Sequence, residues 1–480
     1  MNERRDSLDD GSIDVTPASR DIYFSLARGG YNLATAVEEY VDNSLEQAMA
    51  SKNQSRRKIV VSSMLPNAEN TDSFIEILDD CGGCKRTEAA NFIQPGKSGI
   101  DPISGKISRF GFGGKAAGLA VAEKVEISSR SSGETGWTII LDKKNLMQKS
   151  DWKFRFENIP PSGIKEGSTR IRLYLSPEKK IDIANFSSDV SESLRKRYSS
   201  FNCWNADVFV GTTKIEATDP YSEILQDDFA PEGAQPLKIE RQISLPMRGA
   251  DGLSKIQTLN ILITVGLKPS GTALQEFGAN IYCNCRLLVE NNKTGIGSEV
   301  VHPNSPMVWL RSVVEIKGPA ELMPWNNRKD GLDNSSPSYR KLEELLNESY
   351  KKFTDLIGEA KQHFRDRTGE RVPKIRDMIV ENFERQYKKH NKDPKTFPES
   401  IWTSSAFRDA IERSKNNSEI TVTTKPKNVV QISAPIDKSI LEILRSKVKE
   451  VTMKDRVTNV DIVEEVFKHY IECQIKKEIL

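Results

Sequence analysis

Cysteine and histidine are scarce in this sequence, which has six Cys and four His among 480 residues. Disulfide-built secreted domains are far richer in cysteine, so that class is excluded. Long apolar runs are missing as well, because the longest apolar-rich strip, Leu259–Leu267, is too short to cross a bilayer. We therefore expect neither a disulfide scaffold nor a membrane-embedded protein.

A large net charge is also absent, because 70 Lys and Arg stand against 68 Asp and Glu. With 37% hydrophobic and 29% charged residues, the composition is that of a globular protein of roughly two to four domains. The balance argues against a strongly basic nucleic-acid binder. It leaves room for a local basic patch, since a total of +2 can conceal charge of one sign in one region.

The N-terminal residues show no secretory leader, since Met1–Asp14 lacks a charged start followed by an apolar run. Together with the few cysteines, this predicts a reducing compartment and hence a cytoplasmic location, or a nuclear one in a eukaryote. Residues 1–18 carry acids, Gly and Pro with little apolar periodicity, which predicts a mobile segment.

Hydrophobic periodicity divides the remaining chain into three regions, and the fold class it predicts is α+β. In residues 19–228, helical spacing is followed by strand-like segments, which predicts an α/β sandwich with helices on one face of a sheet. Residues 236–338 are a second strand-rich domain, beginning after an acidic stretch that contains Pro. Residues 339–480 are predicted to be mainly helical, with an apolar stripe at Leu342, Leu345, Leu346, Tyr350 and Phe353.

In the second region, apolar and polar residues alternate from Ile281 to Leu288. A period of two is typical of a strand with one face on a core. We therefore predict a single strand here, with Cys283 and Cys285 on the same side.

The stretch Thr35–Ala48 places Glu39 and Asn43 four residues apart on a predicted helix, so both side chains leave the same face. An acid there can activate a water molecule, and an amide oxygen is a suitable ligand for Mg²⁺. By itself the pair also fits a solvated helix face.

A second motif follows the predicted strand that ends at Leu78. Asp79 and Asp80 precede Gly82 and Gly83, and glycine lets the backbone approach a flat ligand closely. A carboxylate at this point can accept a hydrogen bond from an exocyclic amine such as that of adenine. The alternative is a glycine turn with a solubilising acid.

The third motif places Gly111, Gly113 and Gly114 before Lys115 and a helix rich in small residues. Backbone N–H groups at a helix N-terminus bind phosphates, although small residues also allow close packing on a sheet. In a fourth motif, Gly167–Leu175, a hydroxyl opens a predicted strand and can support the adenine site.

In this order and spacing, the four motifs resemble those of the GHKL ATPases, the superfamily of gyrase-type subunits, the ninety-kilodalton chaperone, histidine kinases and MutL. The resemblance implies a Bergerat-type sandwich that binds ATP and Mg²⁺, hydrolyses ATP to ADP and phosphate, and closes a lid over about residues 96–109. Glu39 is then the general base, Asn43 the Mg²⁺ ligand and Asp79 the residue that reads adenine. The other implied nucleotide contacts are Gly83, Lys97, Ser98, Gly111, Phe112, Gly113, Gly114, Lys115 and Thr169. Two positions depart from the family pattern, since Cys81 and Ser108 stand where glycine is usual.

Two later segments are similar to MORC-like ATPases, which carry a transducer domain after the ATPase domain. These are Gly278–Gly297 and Met323–Leu332, and the second contains Arg328 and Lys329, implied to sense the γ-phosphate. All four His lie downstream of the nucleotide motifs, which argues against a histidine kinase. Cys81, Cys84, Cys283 and Cys285 form an alternative four-thiolate zinc site, disfavoured because the first two lie in the nucleotide motif and the others on a strand.

The resemblance implies an ATP-dependent homodimer that works as a clamp, either in chromatin or in genome defence. Residues 361–395 hold eleven Lys and Arg against six Asp and Glu, a local excess that fits contact with a DNA backbone. A solvated helix of mixed charge is the alternative for this stretch. For the whole protein, the alternatives are a chaperone-like or scaffold ATPase acting on a protein partner, and a GHKL fold that no longer hydrolyses ATP.

Overall fold

The computed structural model describes most of the chain between residue 30 and residue 390. Its described residues are 12–14, 30–50, 55–64, 73–94, 107, 113–148, 153–160, 163–175, 185–226, 230–248, 254–268, 277–293, 306–326, 329–368, 374–390, 438–452, 462 and 465. Contacts between residues divide the chain into two compact units. One comprises residues 1–365 and 372–420, and the other comprises residues 366–371 and 421–480.

The described strands number fifteen and form three sheets. In chain order they are β1 (Ser12–Asp14), β2 (Arg57–Met64), β3 (Phe74–Asp79), β4 (Lys124–Arg130), β5 (Gly136–Asp142), β6 (Lys153–Arg155), β7 (Glu157–Ile159), β8 (Ser168–Tyr174), β9 (Ala206–Val210), β10 (Thr213–Ile215), β11 (Leu237–Arg248), β12 (Ser254–Leu267), β13 (Gly278–Cys283), β14 (Arg286–Asn292) and β15 (Leu310–Lys317).

The described helices lie between and after these strands. They are α1 (Leu33–Ala50), α2 (Ala90–Ile93), α3 (Gly113–Val121), α4 (Lys143–Gln148), α5 (Phe186–Arg197), α6 (Pro337–Thr368), α7 (Ile375–His390) and α8 (Lys438–Thr452). Short 3-10 turns occupy Arg86–Glu88, Phe201–Trp204, Pro306–Trp309 and Ala320–Leu322. Among the described residues, no helix has the length and apolar content needed to cross a membrane.

The first large sheet has the strand order β10-β9-β2-β3-β8-β4-β5-β7, in which only β2 and β9 run parallel. Ile171 and Leu173 of β8 are buried, whereas Arg170 and Arg172 on the opposite face are half-buried. This alternation marks one face as the core side, which agrees with the mixed α/β fold predicted for this region. Strands β1 and β6 pair separately as an antiparallel ribbon.

Helix α1 is the central helix over this sheet, in contact with β2, β3, α3 and α5. It begins with a reciprocal cap, because Thr35 N–H donates to Asn32 Oδ1 at 2.8 Å and Asn32 N–H donates to Thr35 Oγ1 at 3.0 Å. Its apolar side chains are buried, and so are four of its acids, Glu38, Glu39, Asp42 and Glu46. Buried carboxylates are rarely tolerated without partners, so the acids of α1 require cations or hydrogen-bond donors from other elements.

The second large sheet has the strand order β11-β12-β15-β13-β14, with β13 and β15 parallel and the other pairs antiparallel. Along β12, Leu259, Ile261, Ile263 and Val265 are buried and Asn260 is exposed, as in a strand with one face on a core, although Thr264 is buried too. This sheet follows the first in the chain, as the sequence indicated, and its assignment as a transducer stays a prediction.

The single strand predicted from Ile281 to Leu288 is wrong. The chain reverses at Asn284 and Cys285, whose φ angles are 48° and 66°, and β13 and β14 form a hairpin around them. Left-handed angles at both central residues are those of the tight turns that suit hairpins. The alternation ran on through the turn because side chains of both arms are buried, including the charged Arg286.

Helix α6 carries the apolar stripe predicted for the C-terminal region. Leu342, Leu346, Tyr350 and Phe353 are fully or almost fully buried, and Leu345 is half-buried. The Tyr350 hydroxyl lies 2.6 Å from the hydroxyl of Ser312 on β15, which anchors the helix to the second sheet.

Candidate functional site

The first and third motifs meet where the N-terminus of α3 packs on α1. A Cβ added at Gly113 would overlap Glu39 Oε2, and one at Gly114 would lie 2.8 Å from Asn43 Nδ2. A side chain at either position would displace the Glu39 carboxylate or the Asn43 amide. Lys115, in the same helical turn, is buried.

The second motif supplies a buried carboxylate at the end of β3. Asp79 is 4% exposed, and it accepts hydrogen bonds from Ser44 Oγ at 2.7 Å and from the Cys81 N–H at 3.0 Å. Burial raises the pKa of Asp79 to about 6; these two hydrogen bonds oppose the rise, and the charge of Asp80 adds to it. This carboxylate is therefore ionised at pH 7 and becomes protonated in mildly acidic solution.

The second and fourth motifs lie side by side. Thr169 stands opposite Asp79 in the β3–β8 register, and its hydroxyl is 3.0 Å from that of Ser129. Gly82 N–H donates to Gly167 O at 2.8 Å. Gly83 has a φ of 66°, and a Cβ there would overlap the carbonyl oxygen of Arg130, so the backbones are in direct contact.

A lysine from beyond the second sheet reaches the acids of α1. Lys329 Nζ lies 3.2 Å from Glu39 Oε2 and 3.1 Å from Asp42 Oδ2, with 7% of the residue exposed. Burial alone would lower the pKa of Lys329, but the charges of Glu39 and Asp42 raise it above its usual value. The structure thus brings together two residues predicted from motifs 290 positions apart in the sequence.

Asp42 and Arg286 are site residues that the motifs did not predict. Arg286 Nε lies 2.8 Å from Asp42 Oδ2, and Tyr198 donates its hydroxyl to Asp42 Oδ1 at 2.8 Å. Burial alone would raise the pKa of Asp42, but the charges of Arg286 and Lys329 hold it below its ordinary value. The sequence pointed to Asp42, since it lies three residues after Glu39 on the same helix face. It did not point to Arg286, because the alternating pattern made this residue look like an ordinary strand position.

Glu38 lies at the edge of this cluster, with Arg286 Nη2 4.0 Å from its Oε2, and its closer partners are on α5. Its Oε2 pairs with Arg197 Nε at 2.7 Å, and its Oε1 accepts from Ser193 Oγ, both on α5. Glu38 therefore ties α1 to α5 and is turned away from the Gly113 contact that Glu39 makes.

Residues 31–170 match the family model described as histidine kinase-, DNA gyrase B- and HSP90-like ATPase. The match supports the GHKL superfamily. It spans Glu39, Asn43, Asp79, Lys115 and Thr169, and it supports an ATP-binding ATPase. A search of curated proteins found no match to the chain.

Several predicted site residues lie outside the described residues. These are Lys97, Ser98, Gly111, Phe112 and Arg328. Of the predicted lid at 96–109, only Ile107 is described; its N–H donates to Glu46 Oε1 at 2.5 Å, so this point of the segment contacts α1.

The four cysteines of the alternative zinc site are not all available as thiolates. Cys285 forms a disulfide with Cys203, whereas Cys81, Cys84 and Cys283 are buried thiols whose pKa burial raises. Within the described ranges, no group of three or more His, Cys, Asp and Glu is placed to hold a metal ion. The disulfide was not expected from the sequence, which predicted Cys283 and Cys285 on one strand face.

Proposed function

We propose that this protein binds ATP where α1, the end of β3 and the N-terminus of α3 meet, and hydrolyses it to ADP and phosphate. The observation that carries the proposal is the contact of Lys329 with Glu39 at 3.2 Å, because it joins a residue of the implied γ-phosphate sensor to the implied general base. The match of residues 31–170 supports the nucleotide site itself.

At the base end of the nucleotide, Asp79 accepts a hydrogen bond from the exocyclic amine of adenine. Its carboxylate already accepts hydrogen bonds from Ser44, from the Cys81 N–H and from the Thr169 backbone, and with about four lone-pair sites it can accept one more. Gly83 lies beneath the base, and Thr169 supports the site from the neighbouring strand. A site built to pair an amine favours adenine over bases that lack it.

At the phosphate end, the N-terminus of α3 and Lys115 bind the phosphate oxygens. The residue that would hold Mg²⁺ is Asn43, whose amide oxygen has suitable donor chemistry because this ion prefers oxygen ligands. When bound, Mg²⁺ neutralises phosphate charge. Gly113 and Gly114 leave the approach to Glu39 and Asn43 free of side-chain bulk.

Glu39 acts as the general base, taking a proton from the attacking water onto Oε2 as the water oxygen bonds to the γ-phosphorus and ADP leaves. Arg328 or Lys329 senses the γ-phosphate. Lys329 is the better supported of the two, since its ammonium group lies 3.2 Å from the carboxylate of Glu39, the proposed general base.

The test is Glu39→Gln, which keeps the shape of the side chain and removes the proton acceptor. We expect ATP turnover to fall about 100-fold or more, with ATP still bound. Glu38→Gln is the matched control, because it neutralises the adjacent buried acid, whose closest cation is Arg197 at 2.7 Å and which lies 4.0 Å from Arg286. Equal turnover in Glu39→Gln and the unaltered protein would refute the assignment of the base.

We further infer a MORC- or MutL-like clamp, in which ATP drives homodimerisation and the closed dimer acts on DNA. The basic stretch 361–395 supports DNA contact, because Arg365, Lys374 and Arg385 are exposed on or beside α6 and α7. Burial lowers the pKa of Lys361, which is half-buried and less suited to this role.

Sedimentation with and without a non-hydrolysable ATP analogue tests the clamp, and we expect a dimer only with the analogue. Replacing Arg365, Lys374 and Arg385 with Gln should weaken DNA binding and reduce its salt dependence. Lys341→Gln with Lys352→Gln is the control, since both lysines are exposed on α6 outside the stretch. ATPase activity that is indifferent to DNA but stimulated by a protein would instead favour a chaperone-like or scaffold role.

A further inference from the structure

The β13–β14 hairpin is held against the helical side of the first sheet through its turn. Ser199 N–H donates to Cys285 O at 2.9 Å, Tyr198 forms a β-bridge with Arg286, and Cys203 is disulfide-bonded to Cys285. Three contacts over two neighbouring residues fix the backbone from which the Arg286 side chain departs.

The Arg286 guanidinium lies between α1 and the loop that carries Lys329, and the residue is 4% exposed. Its Nε pairs with Asp42 at 2.8 Å, without the angles of a hydrogen bond, and its Nη1 donates to the Lys329 carbonyl oxygen at 3.1 Å. Its Nη2 lies 3.8 Å from Glu39 Oε1. The Arg286 side chain therefore contacts the Lys329 loop, the implied general base Glu39 and the acid Asp42.

The loop at Lys329 needs such support. Lys329 has a φ of 54°, a left-handed conformation that is unfavourable for a residue with a side chain. A turn hydrogen bond from Lys329 N–H to Asn326 O at 3.1 Å holds one side of the residue, and Arg286 holds its carbonyl on the other.

Lys329 and Arg286 differ in whether they can leave their carboxylate partners. Lys329 is a flexible point charge on a loop, so its ammonium group can turn from Glu39 and Asp42 toward a phosphate. Arg286 is fixed at the start of β14, and after such a move Asp42 would keep both Arg286 and the Tyr198 hydroxyl. A buried carboxylate that keeps a cation avoids the large cost of an unpaired buried charge.

We propose that Arg286 is a positioning residue for ATP hydrolysis: it sets the Lys329 loop against Glu39 and keeps Asp42 paired when Lys329 turns to the γ-phosphate. The inference rests on the proposed ATPase function. It assigns a task to a residue of the second sheet whose side chain acts on α1 and on the Lys329 loop, and it explains why an arginine is buried there.

The variant Arg286→Lys keeps the charge and removes the fork that binds Asp42 and the Lys329 carbonyl together. We expect its kcat to fall about 100-fold and its KM for ATP to rise by no more than about tenfold, because a displaced catalytic group impairs the reaction more than binding. Arg197→Lys is the matched control, since Arg197 pairs with Glu38, a buried acid of α1 like Asp42, and its Nη1 donates to the Leu287 carbonyl oxygen rather than to that of Lys329. Arg286→Gln is the second variant should the lysine variant not fold.

A binding readout separates this inference from the proposed function. The ratio of ADP to ATP-analogue dissociation constants measures the γ-phosphate contact without turnover, and we expect it to fall about tenfold in Arg286→Lys and equally in Lys329→Met. The double variant should lose no more than either single variant, because both act through Lys329.

Two outcomes overturn the inference: an Arg286→Lys protein with the triphosphate preference and kcat of Arg197→Lys, or fully additive losses in the double variant. An unaltered protein that prefers the triphosphate analogue but does not hydrolyse ATP refutes the proposed function alone. If the preference then falls equally in Arg286→Lys and Lys329→Met, the coupling of Arg286 to Lys329 stands.

Discussion

Asp79 and Asp42 are both buried carboxylates at the candidate site, yet their surroundings have opposite effects. Asp79 receives neutral donors, Ser44 and a backbone N–H, and burial raises its pKa to about 6. Asp42 receives Arg286, Lys329 and the Tyr198 hydroxyl, and its pKa lies below the usual value. Burial therefore decides the protonation of a carboxylate only where no cation is buried with it.

The difference fits the two ends of the proposed nucleotide site. The adenine end needs an acceptor for a neutral amine, which hydroxyl and backbone donors can orient without a charge. The phosphate end handles negative charge, and there cations have to be held in place when no phosphate is bound to them. Asp42 serves as their resting partner.

The largest effect expected from this comparison is that of Asp42→Asn. Removing the acid leaves the buried charges of Arg286 and Lys329 incompletely neutralised. Breaking a buried ion pair in this way lowers the free energy of unfolding by about 3–5 kcal/mol. Because the pKa of Asp42 is lowered on folding, its stabilisation is present above the unfolded pKa and is lost as the pH falls through the folded one. Denaturant unfolding of both proteins should show a large gap at pH 7 that narrows below about pH 4. A gap independent of pH would contradict the ionised pair.

The second effect is that of Cys203→Ser, which removes the cross-link beside Arg286. The loop it closes spans 82 residues, and losing such a disulfide lowers the free energy of unfolding by about 2–4 kcal/mol. Unfolding curves measured with and without a thiol reductant check this. The reductant should lower the stability of the unaltered protein and leave Cys203→Ser unchanged; an unaltered protein indifferent to the reductant would show that the bond does not form.

The smallest effect, with the opposite sign, is that of Asp79→Asn. Folding raises the pKa of Asp79, so its contribution to stability is greatest below the unfolded pKa and is lost as the pH rises toward about 6. At pH 7.5 the amide variant should be about 1–2 kcal/mol more stable than the unaltered protein, with the difference vanishing below about pH 4. Its ATP affinity should be lower and independent of pH between about 5 and 7.5, whereas that of the unaltered protein falls with acidity. Parallel pH profiles for the two proteins would contradict the role of Asp79.

Much of the candidate site could be predicted because its motifs are local. Glu39 and Asn43 share a helix face at a spacing of four, and glycine marks points of close approach, to a backbone at Gly83 and to the Glu39 side chain at Gly113. The sheet of the first region followed from strand-like segments in residues 19–228. Each of these signals lies within a few positions of the residue it describes.

The hairpin at Asn284 and Cys285 could not be predicted in the same way. A two-residue turn is usually recognised by Asn-Gly or Asp-Gly, and here the second position is a cysteine, so the alternation appeared unbroken. The disulfide partner of Cys285 lies 82 residues earlier, at a distance where spacing carries no information. Arg286 appeared to be one polar residue of a strand.

The sequence by itself determined the mixed α/β class of the fold, the order of the nucleotide motifs and the residues proposed to bind ATP, because helix spacing, strand alternation and glycine placement act over short distances. Only the tertiary structure decided how the acids of α1 are neutralised. Charges on Arg286 and Lys329 reach Asp42 and Glu39 from positions more than 240 residues away, and a Coulomb interaction depends on distance in space. Burial then makes that pairing obligatory, since a lone charge in the interior would be too costly to keep.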